Sequence, residues 1–379
     1  MHPSAAVVRL MMRKGKQKLS IGTGFLFKRS DQWYIVTAWH NVTGRHTETF
    51  ECLDMNLAVP DNIVVNIPRI STYGGRSDIF SGGWVTIPLE DEDKGLYFVS
   101  DSWPLMDVAA IPLDIDKEFE TEGFVLGEPF VRRGKLTQVG VPDRSIPELT
   151  LFSMNDAEAS SVALAAEIKA RLDVTDELFV VGYPQGITDM YCQSIWKRAT
   201  VASSPSLGWN RASKFLIDCA SRPGMSGAPV LFYSSSGAVK MGNFTQHVTG
   251  PATFLHGIYV GRISGEIATQ KNTEDFSLFQ GQIGTVWKRE AIEAVIDAGV
   301  YGVHSRDLPM SSDLIDKAIQ LKWPSQSDSP EHAQKMLDKP GVYLPGMTQA
   351  VLEVLKGYAS AAAVSKRILD FAKNLTSNS

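Results

Sequence analysis

The sequence is poor in cysteine, has no excess of positive charge and contains no long apolar run, and each lack removes a class of function. Cys52, Cys192 and Cys219 are the three cysteines in 379 residues. An odd number at such wide spacing provides neither a disulfide framework nor a paired metal site, and it suits a reducing interior. The formal net charge of −5 leaves no broad basic surface for a phosphate backbone, so nucleic acid is not an expected partner. Arg9, Arg13, Lys14, Lys16 and Lys18 interrupt the apolar residues from Val7 to Met12, which falls short of the roughly 7 uninterrupted apolar residues of a signal peptide. Nothing later approaches the roughly 18 of a membrane span. A cytoplasmic chain without membrane contact is expected. Walker-type phosphate loops, His-Glu-x-x-His helices and Gly-x-Gly-x-x-Gly turns are also missing, so no nucleotide, metal or other cofactor is expected.

A hydrophobic content of 44% against 21% charged is enough to bury a sizeable core. From about residue 5 to 287 the chain is a series of short β-like runs separated by Gly, Pro, Asn and Asp, the pattern of antiparallel sandwiches and barrels. The clearest run from Val7 to Met12, Leu19 to Phe27, Trp33 to Thr37, Ile63 to Ile67, Val108 to Ile111, Phe179 to Val181 and Phe254 to Val260. Arg13-Lys-Gly-Lys16 reads as an exposed hairpin turn between the first two. Asn155-Asp-Ala-Glu158 has capping-box spacing, and Leu164, Ile168 and Leu172 follow at intervals of four, so a helical insertion is expected over about 155–173. A second helix is expected from Lys288 to Ala298, with Ile292, Val295 and Ile296 as its apolar stripe. Beyond Tyr301 a polar Ser325-Gln-Ser-Asp-Ser-Pro330 linker precedes Val351, Leu352, Leu355, Val364, Ile368, Phe371 and Leu375 at helical spacing. The expected organisation is a mainly β domain over 1–300 and a helical C-terminal extension over 301–379.

Three segments could carry chemistry. In Ser221-Arg-Pro-Gly-Met-Ser-Gly-Ala-Pro-Val230, Ser226 has glycines at −2 and +1 and a strand-like run behind it. Serine is weakly nucleophilic at its free pKa, so it needs a neighbouring base and N–H donors for the oxyanion formed on attack. Glycine at −2 lets the loop turn those donors inward. Taken alone, Gly-x-Ser-Gly also describes an ordinary turn. In Tyr34-Ile-Val-Thr-Ala-Trp-His40, a strand-forming run ends in a histidine that can reach a cleft, although one histidine among seven needs no special role. In Trp103-Pro-Leu-Met-Asp107-Val-Ala-Ala-Ile-Pro, a carboxylate heads an apolar run, where it must be paired unless it caps an exposed strand edge. Together the three fall in the order His, Asp, Ser of the chymotrypsin-type arrangement.

On Gly22-Thr-Gly-Phe-Leu-Phe, Val36-Thr-Ala-Trp-His40, Asp107-Val-Ala-Ala-Ile, Val181-Gly-Tyr-Pro and Arg222-Pro-Gly-Met-Ser-Gly-Ala-Pro-Val, the chain resembles the trypsin-like serine peptidases, especially bacterial members related to the HtrA family. The resemblance implies a chymotrypsin-like fold of two six-stranded antiparallel β-barrels and a serine endopeptidase acting on protein or peptide substrates. Ser226 would attack the scissile carbonyl, His40 would act as base then acid, and Asp107 would orient His40. Gly224 and Ser226 would supply the oxyanion N–H groups, and His256-Gly-Ile-Tyr-Val-Gly261 would be the substrate-lining strand.

The departures are specific. Met225 stands where activatable relatives have the aspartate that pairs with a new N-terminal amine, and no Ile-Val-Gly-Gly start precedes the first barrel. Control should therefore come from binding, assembly or loop ordering. Ala220, where trypsin selects basic side chains with an aspartate, and Ser221 suggest a neutral pocket preferring small or apolar side chains, with Gly257, Tyr259 and Gly261 as further lining candidates; Arg262 could enter it. The gaps of 67 residues from His40 to Asp107 and 119 from Asp107 to Ser226 require insertions. Asp101 rivals Asp107 for the acidic role. No PDZ-like segment follows residue 300. Two other readings remain: a catalytically silent trypsin-like fold used for binding or assembly, and an oligomeric component joined, or partnered by a regulator, through the C-terminal helices.

Overall fold

The computed structural model describes residues 2–47, 50, 52–54, 58–73, 76–100, 106–114, 118–125, 128–138, 149–151, 153–159, 172–189, 191–210, 212–241, 244–247, 249–262 and 282–308. The first half contains β1 (Val7–Lys14), β2 (Gln17–Arg29), β3 (Gln32–Thr37), α1 (Trp39–Thr43), β4 (Asn62–Tyr73), β5 (Arg76–Pro88), β6 (Lys94–Phe98), β7 (Ala109–Leu113), β8 (Glu118–Val125), β9 (Glu128–Gln138) and β10 (Leu149–Leu151). After α2 (Met154–Ala159) come β11 (Glu177–Gly182), β12 (Ile195–Val201), β13 (Lys214–Asp218), β14 (Ala228–Ser234), β15 (Ala238–Met241), β16 (Phe244–His247), β17 (Ala252–Arg262) and β18 (Ile283–Lys288). α3 (Arg289–Ala298) and β19 (Tyr301–Val303) return the chain to the first half.

The second half closes as a six-stranded barrel in the order β11-β12-β13-β18-β17-β14, as expected. The first half is larger than the six strands expected: eleven strands form one sheet in the order β10-β9-β8-β5-β4-β1-β2-β3-β7-β6-β19. Its central strands still come round on themselves. The Leu89 N–H donates to Asp61 at the β4 side, and the Leu96 N–H donates back to Leu89 across a tight turn where the Asp91 N–H reaches the Lys94 carbonyl. β19 adds a strand beside β6, and most of the surplus comes from β8 and β9, a hairpin added to β5 through Trp84↔Glu122 and Val85↔Thr121, and from β10 beside β9. These strands occupy part of the long gap between Asp107 and Ser226, where only a helix was expected.

Alternation explains why the strands read as unbroken apolar runs. On β3, Trp33 and Ile35 enter the first barrel while Tyr34 and Val36 enter a cluster between the barrels. On β11, Leu178 and Val180 enter the second barrel while Phe179 and Val181 face the same inter-barrel cluster. Successive side chains of a strand point to opposite faces, so a strand apolar on both faces is covered on both. The Arg13–Lys16 turn is exposed as expected, with Gly15 at φ 57°.

The insertion helix starts at Met154, one residue before its expected 155; it is described over Met154–Ala159, and 160–171 lie outside the described residues. Ser153 caps it: its Oγ accepts from the Asp156 N–H at 3.1 Å, and Asp156 accepts from the Ser153 N–H at 2.9 Å, a reciprocal capping box. Asn155, the expected cap, accepts from the Lys28 N–H instead. Glu158 is buried and accepts from the Leu255 N–H at 2.7 Å and from Arg289 at 2.7 and 2.8 Å, which joins α2 to β17 and α3. Leu164 and Ile168 lie outside the described residues, and Leu172 is non-helical. α3 spans the expected second helix, burying Ile292, Val295 and Ile296 and ending at Gly299 in the left-handed conformation. Residues 301–308, expected to open the helical extension, belong to the first barrel instead: Tyr301 pairs with Phe98 on β6, and Leu308 is buried in that barrel's core. The rest of the expected extension, 309–379, lies outside the described residues, as do Asp101 and the linker at 325–330. Among the described residues no helix is long and apolar enough to cross a membrane.

Candidate active site

β3 ends at Thr37, and α1 follows at once, so His40 lies in the first turn of a one-turn helix. β7 pairs with β3 in a register that places Thr37 opposite Ala109, which brings the residues just before β7 alongside α1. Asp107 thereby meets His40 at two points. Its Oδ1 accepts from the His40 backbone N–H at 3.0 Å, and its Oδ2 lies 2.8 Å from His40 Nδ1. A carboxylate only accepts, so Nδ1 carries the proton and Nε2 is left as the basic nitrogen. Burial alone would push the imidazole pKa down; the charge of Asp107 and its hydrogen bond outweigh burial and hold it above the ordinary value.

Ser226 sits on a loop that needs both its glycines. Gly224 (φ 92°) and Gly227 (φ 88°) occupy the left-handed region, and a Cβ on Gly227 would collide with the Thr23 carbonyl. The Pro223 carbonyl accepts from the Gln185 N–H. In a planar trans peptide the next N–H points the opposite way, so the Gly224 N–H faces away from Gln185. The Ser226 carbonyl accepts from the Thr23 N–H and from Asn41 Nδ2, both at 2.9 Å. Asn41 follows His40 directly, so this bond ties the serine loop to the helix that carries the histidine. The Ser226 hydroxyl donates to the Val260 carbonyl at 3.3 Å, and His40 is not its hydrogen-bond partner among the described residues.

Four residues that hold this arrangement were not singled out by the sequence: Thr23, Thr37, Asn41 and Gln185. The Thr23 hydroxyl donates to the Gly224 carbonyl at 2.7 Å and accepts from the Tyr183 N–H at 3.1 Å. Thr37 donates to the Thr23 carbonyl at 2.8 Å, and Asn41 donates to Thr37 at 2.9 Å. The signal for Thr23 was its position between glycines in Gly22-Thr-Gly24, where small neighbours permit close approach of the second barrel. Thr23→Val keeps the shape and removes the hydroxyl. It should lower stability by about 1–3 kcal/mol, since a buried N–H and carbonyl lose their partner, and slow turnover about 10–100-fold by loosening the loop. Urea melts and steady-state kinetics on the same preparation check both.

Met225 is fully buried in the core of the second barrel. An apolar side chain therefore anchors the loop where an aspartate would need a charged partner. Of the expected pocket residues, Ser221 and Tyr259 meet, hydroxyl to hydroxyl at 2.5 Å, and both are buried. Gly261 adjoins Val260, and among the described residues a Cβ there would meet nothing within 4 Å. Gly257 serves the barrel, because a Cβ there would collide with the Trp287 carbonyl. Ala220 is half-buried. The neutral pocket was expected from Ala220 and Ser221, with Arg262 as a residue that could enter it; Arg262 does reach Ser221, with Nε 3.3 Å from its Oγ and Nη2 on its carbonyl. Cys219 is buried and its thiol pKa is raised by burial, as expected of a small core residue.

No family model and no curated protein sequence matches the chain. Three solved structures align with 78% of the chain. The Rv3671c protease of M. tuberculosis, in its inactive form, is 13% identical with a TM-score of 0.32, over 78% of this chain and 89% of that one. A serine endoprotease from Yersinia pestis is 13% identical with a TM-score of 0.37, over 78% and 62% of the two chains. A thermostable serine protease, AL20, from an extremophilic microorganism is 12% identical with a TM-score of 0.37, over 78% and 97%. All three are proteases, and the second and third are serine proteases. In this chain the chymotrypsin-like pair of barrels is closed in the second half and enlarged in the first.

Proposed function

We propose that the protein is a serine endopeptidase that hydrolyses proteins or peptides through an acyl-enzyme, with Ser226, His40 and Asp107 as its triad. The observation that carries this reading is the two-point contact of Asp107 with His40, joined through Asn41 to the loop of Ser226. In the proposed cycle the Ser226 hydroxyl leaves the Val260 carbonyl and gives its proton to His40 Nε2 as Oγ bonds to the scissile carbonyl carbon. The oxyanion lies against the N–H groups of Gly224 and Ser226. His40 then returns the proton to the leaving amine as the C–N bond breaks, and water repeats the sequence on the ester. Asp107 stays ionised and stabilises the imidazolium. Three free thiols, Cys52, Cys192 and Cys219, suit action in the cytoplasm.

The resting hydrogen bond from Ser226 to Val260 favours a second reading, a silent binding module of the same fold. Labelling separates the two. A fluorophosphonate probe should modify the folded wild-type chain at a single residue, and peptide mass mapping should place the adduct on Ser226. A folded chain that takes up no probe, alone or with candidate partners, would be the binding module.

A further inference from the structure

We propose that Arg262, with Ser221 and Tyr259, makes the primary pocket select an acidic side chain, glutamate or aspartate, on the residue whose carbonyl Ser226 attacks. The inference rests on the peptidase reading above and specifies its substrate class. Val260 receives the Ser226 hydroxyl, so the end of β17 runs past the nucleophile. Two residues further on, the Arg262 guanidinium turns back onto Ser221, with Nε at 3.3 Å from Oγ and Nη2 on the carbonyl. Arg222 donates to the same carbonyl through Nη1 at 3.2 Å. Two guanidinium groups thus converge on one uncharged oxygen. Among the described residues neither has a carboxylate partner.

Arg262 is half-buried and Arg222 is exposed beside it; two like charges on one carbonyl favour a counter-ion, and a substrate carboxylate would supply one. Each guanidinium has five N–H donors, and among the described residues Arg262 spends only two of them, on one carbonyl and one hydroxyl. Its planar fork matches a carboxylate through two parallel hydrogen bonds. The floor beneath it does not oppose a negative charge. Ser221 and Tyr259 are buried hydroxyls, and burial pushes the Tyr259 phenol up to about 12, so it stays neutral. A basic side chain would instead meet two cations, and a large apolar one would meet a floor already filled by the Tyr259 ring.

The test uses the full chain and two kinds of serine-directed reagent. A plain fluorophosphonate measures the active centre without a side-chain requirement. Peptidyl diphenyl phosphonates identical except for Glu, Ala or Lys at the terminal position then measure the pocket. The Glu reagent should label about 10–100-fold faster than the Ala or Lys reagents, the range of a hydrogen bond to a charged group. Arg262→Ala and the longer, neutral Arg262→Gln should both lose that preference, read in each folded variant as the ratio of Glu-reagent to Ala-reagent labelling so that a change in overall reactivity cancels. Faster labelling by the Ala or Lys reagent in the wild type, or a Glu preference that survives in both variants, would overturn the proposal and leave the peptidase standing. Failure of the folded wild type to take up the plain fluorophosphonate would overturn the peptidase reading, and this proposal with it.

Discussion

Ser226→Ala should lower peptide hydrolysis about 10⁵–10⁶-fold, and His40→Ala should do nearly the same. In the proposed cycle the nucleophile and its base act in one step, so removing either would leave only binding and the oxyanion donors. The double variant should be no worse than the worse single one, because the second group has nothing left to act with. Stability should scarcely move in Ser226→Ala. The hydroxyl makes one long bond to Val260, while the bonds that place the loop go to the backbone of residue 226 and survive the change. Kinetics on a peptide chosen from a cleavage library, with thermal melts alongside, measure both. Residual turnover within tenfold of wild type in a folded Ser226→Ala would remove Ser226 from the chemistry.

Strands β2, β3, β7 and β11 were legible in the sequence because they are covered on both faces and so appear as unbroken apolar runs. His40 and Asp107 were legible for a related reason: each sits where such a run begins or ends, and adjacent strands bring those ends together. The network around Thr23 was not. Thr23 meets Gly224 across 201 positions of sequence and Asn41 meets Ser226 across 185, and no local pattern records such pairings. The insertion helix shows a different limit. Ser153-x-x-Asp156 and Asn155-x-x-Glu158 overlap with equal capping spacing, and long-range bonds decided between them: Asn155 is taken by Lys28, and Glu158 by Leu255 and Arg289. Arg262 was visible as a charge near the pocket, but its direction depends on β17 passing Ser221, which only the closed barrel fixes.

Asp107→Asn should lower kcat by about 10⁴-fold, and it should also move the pH profile, which a merely structural loss would not do. The wild-type imidazole is held above its ordinary value because the charge and hydrogen bond of Asp107 outweigh the effect of burial. His40 must be neutral to accept the Ser226 proton, so the wild-type rate should rise with pH and reach half its plateau above about 6.5. An amide in place of the carboxylate removes the charge and leaves burial, which favours the neutral ring, so the small residual activity should reach its half-point at lower pH than wild type. The amide also explains the size of the loss. Its NH₂ can donate to Nδ1, which leaves the proton on Nε2, the nitrogen that must take up the serine proton. Plateau and midpoint should therefore fall together. A tenfold or smaller loss with an unmoved midpoint would mean that Asp107 does no more than hold the helix of His40 through its backbone N–H.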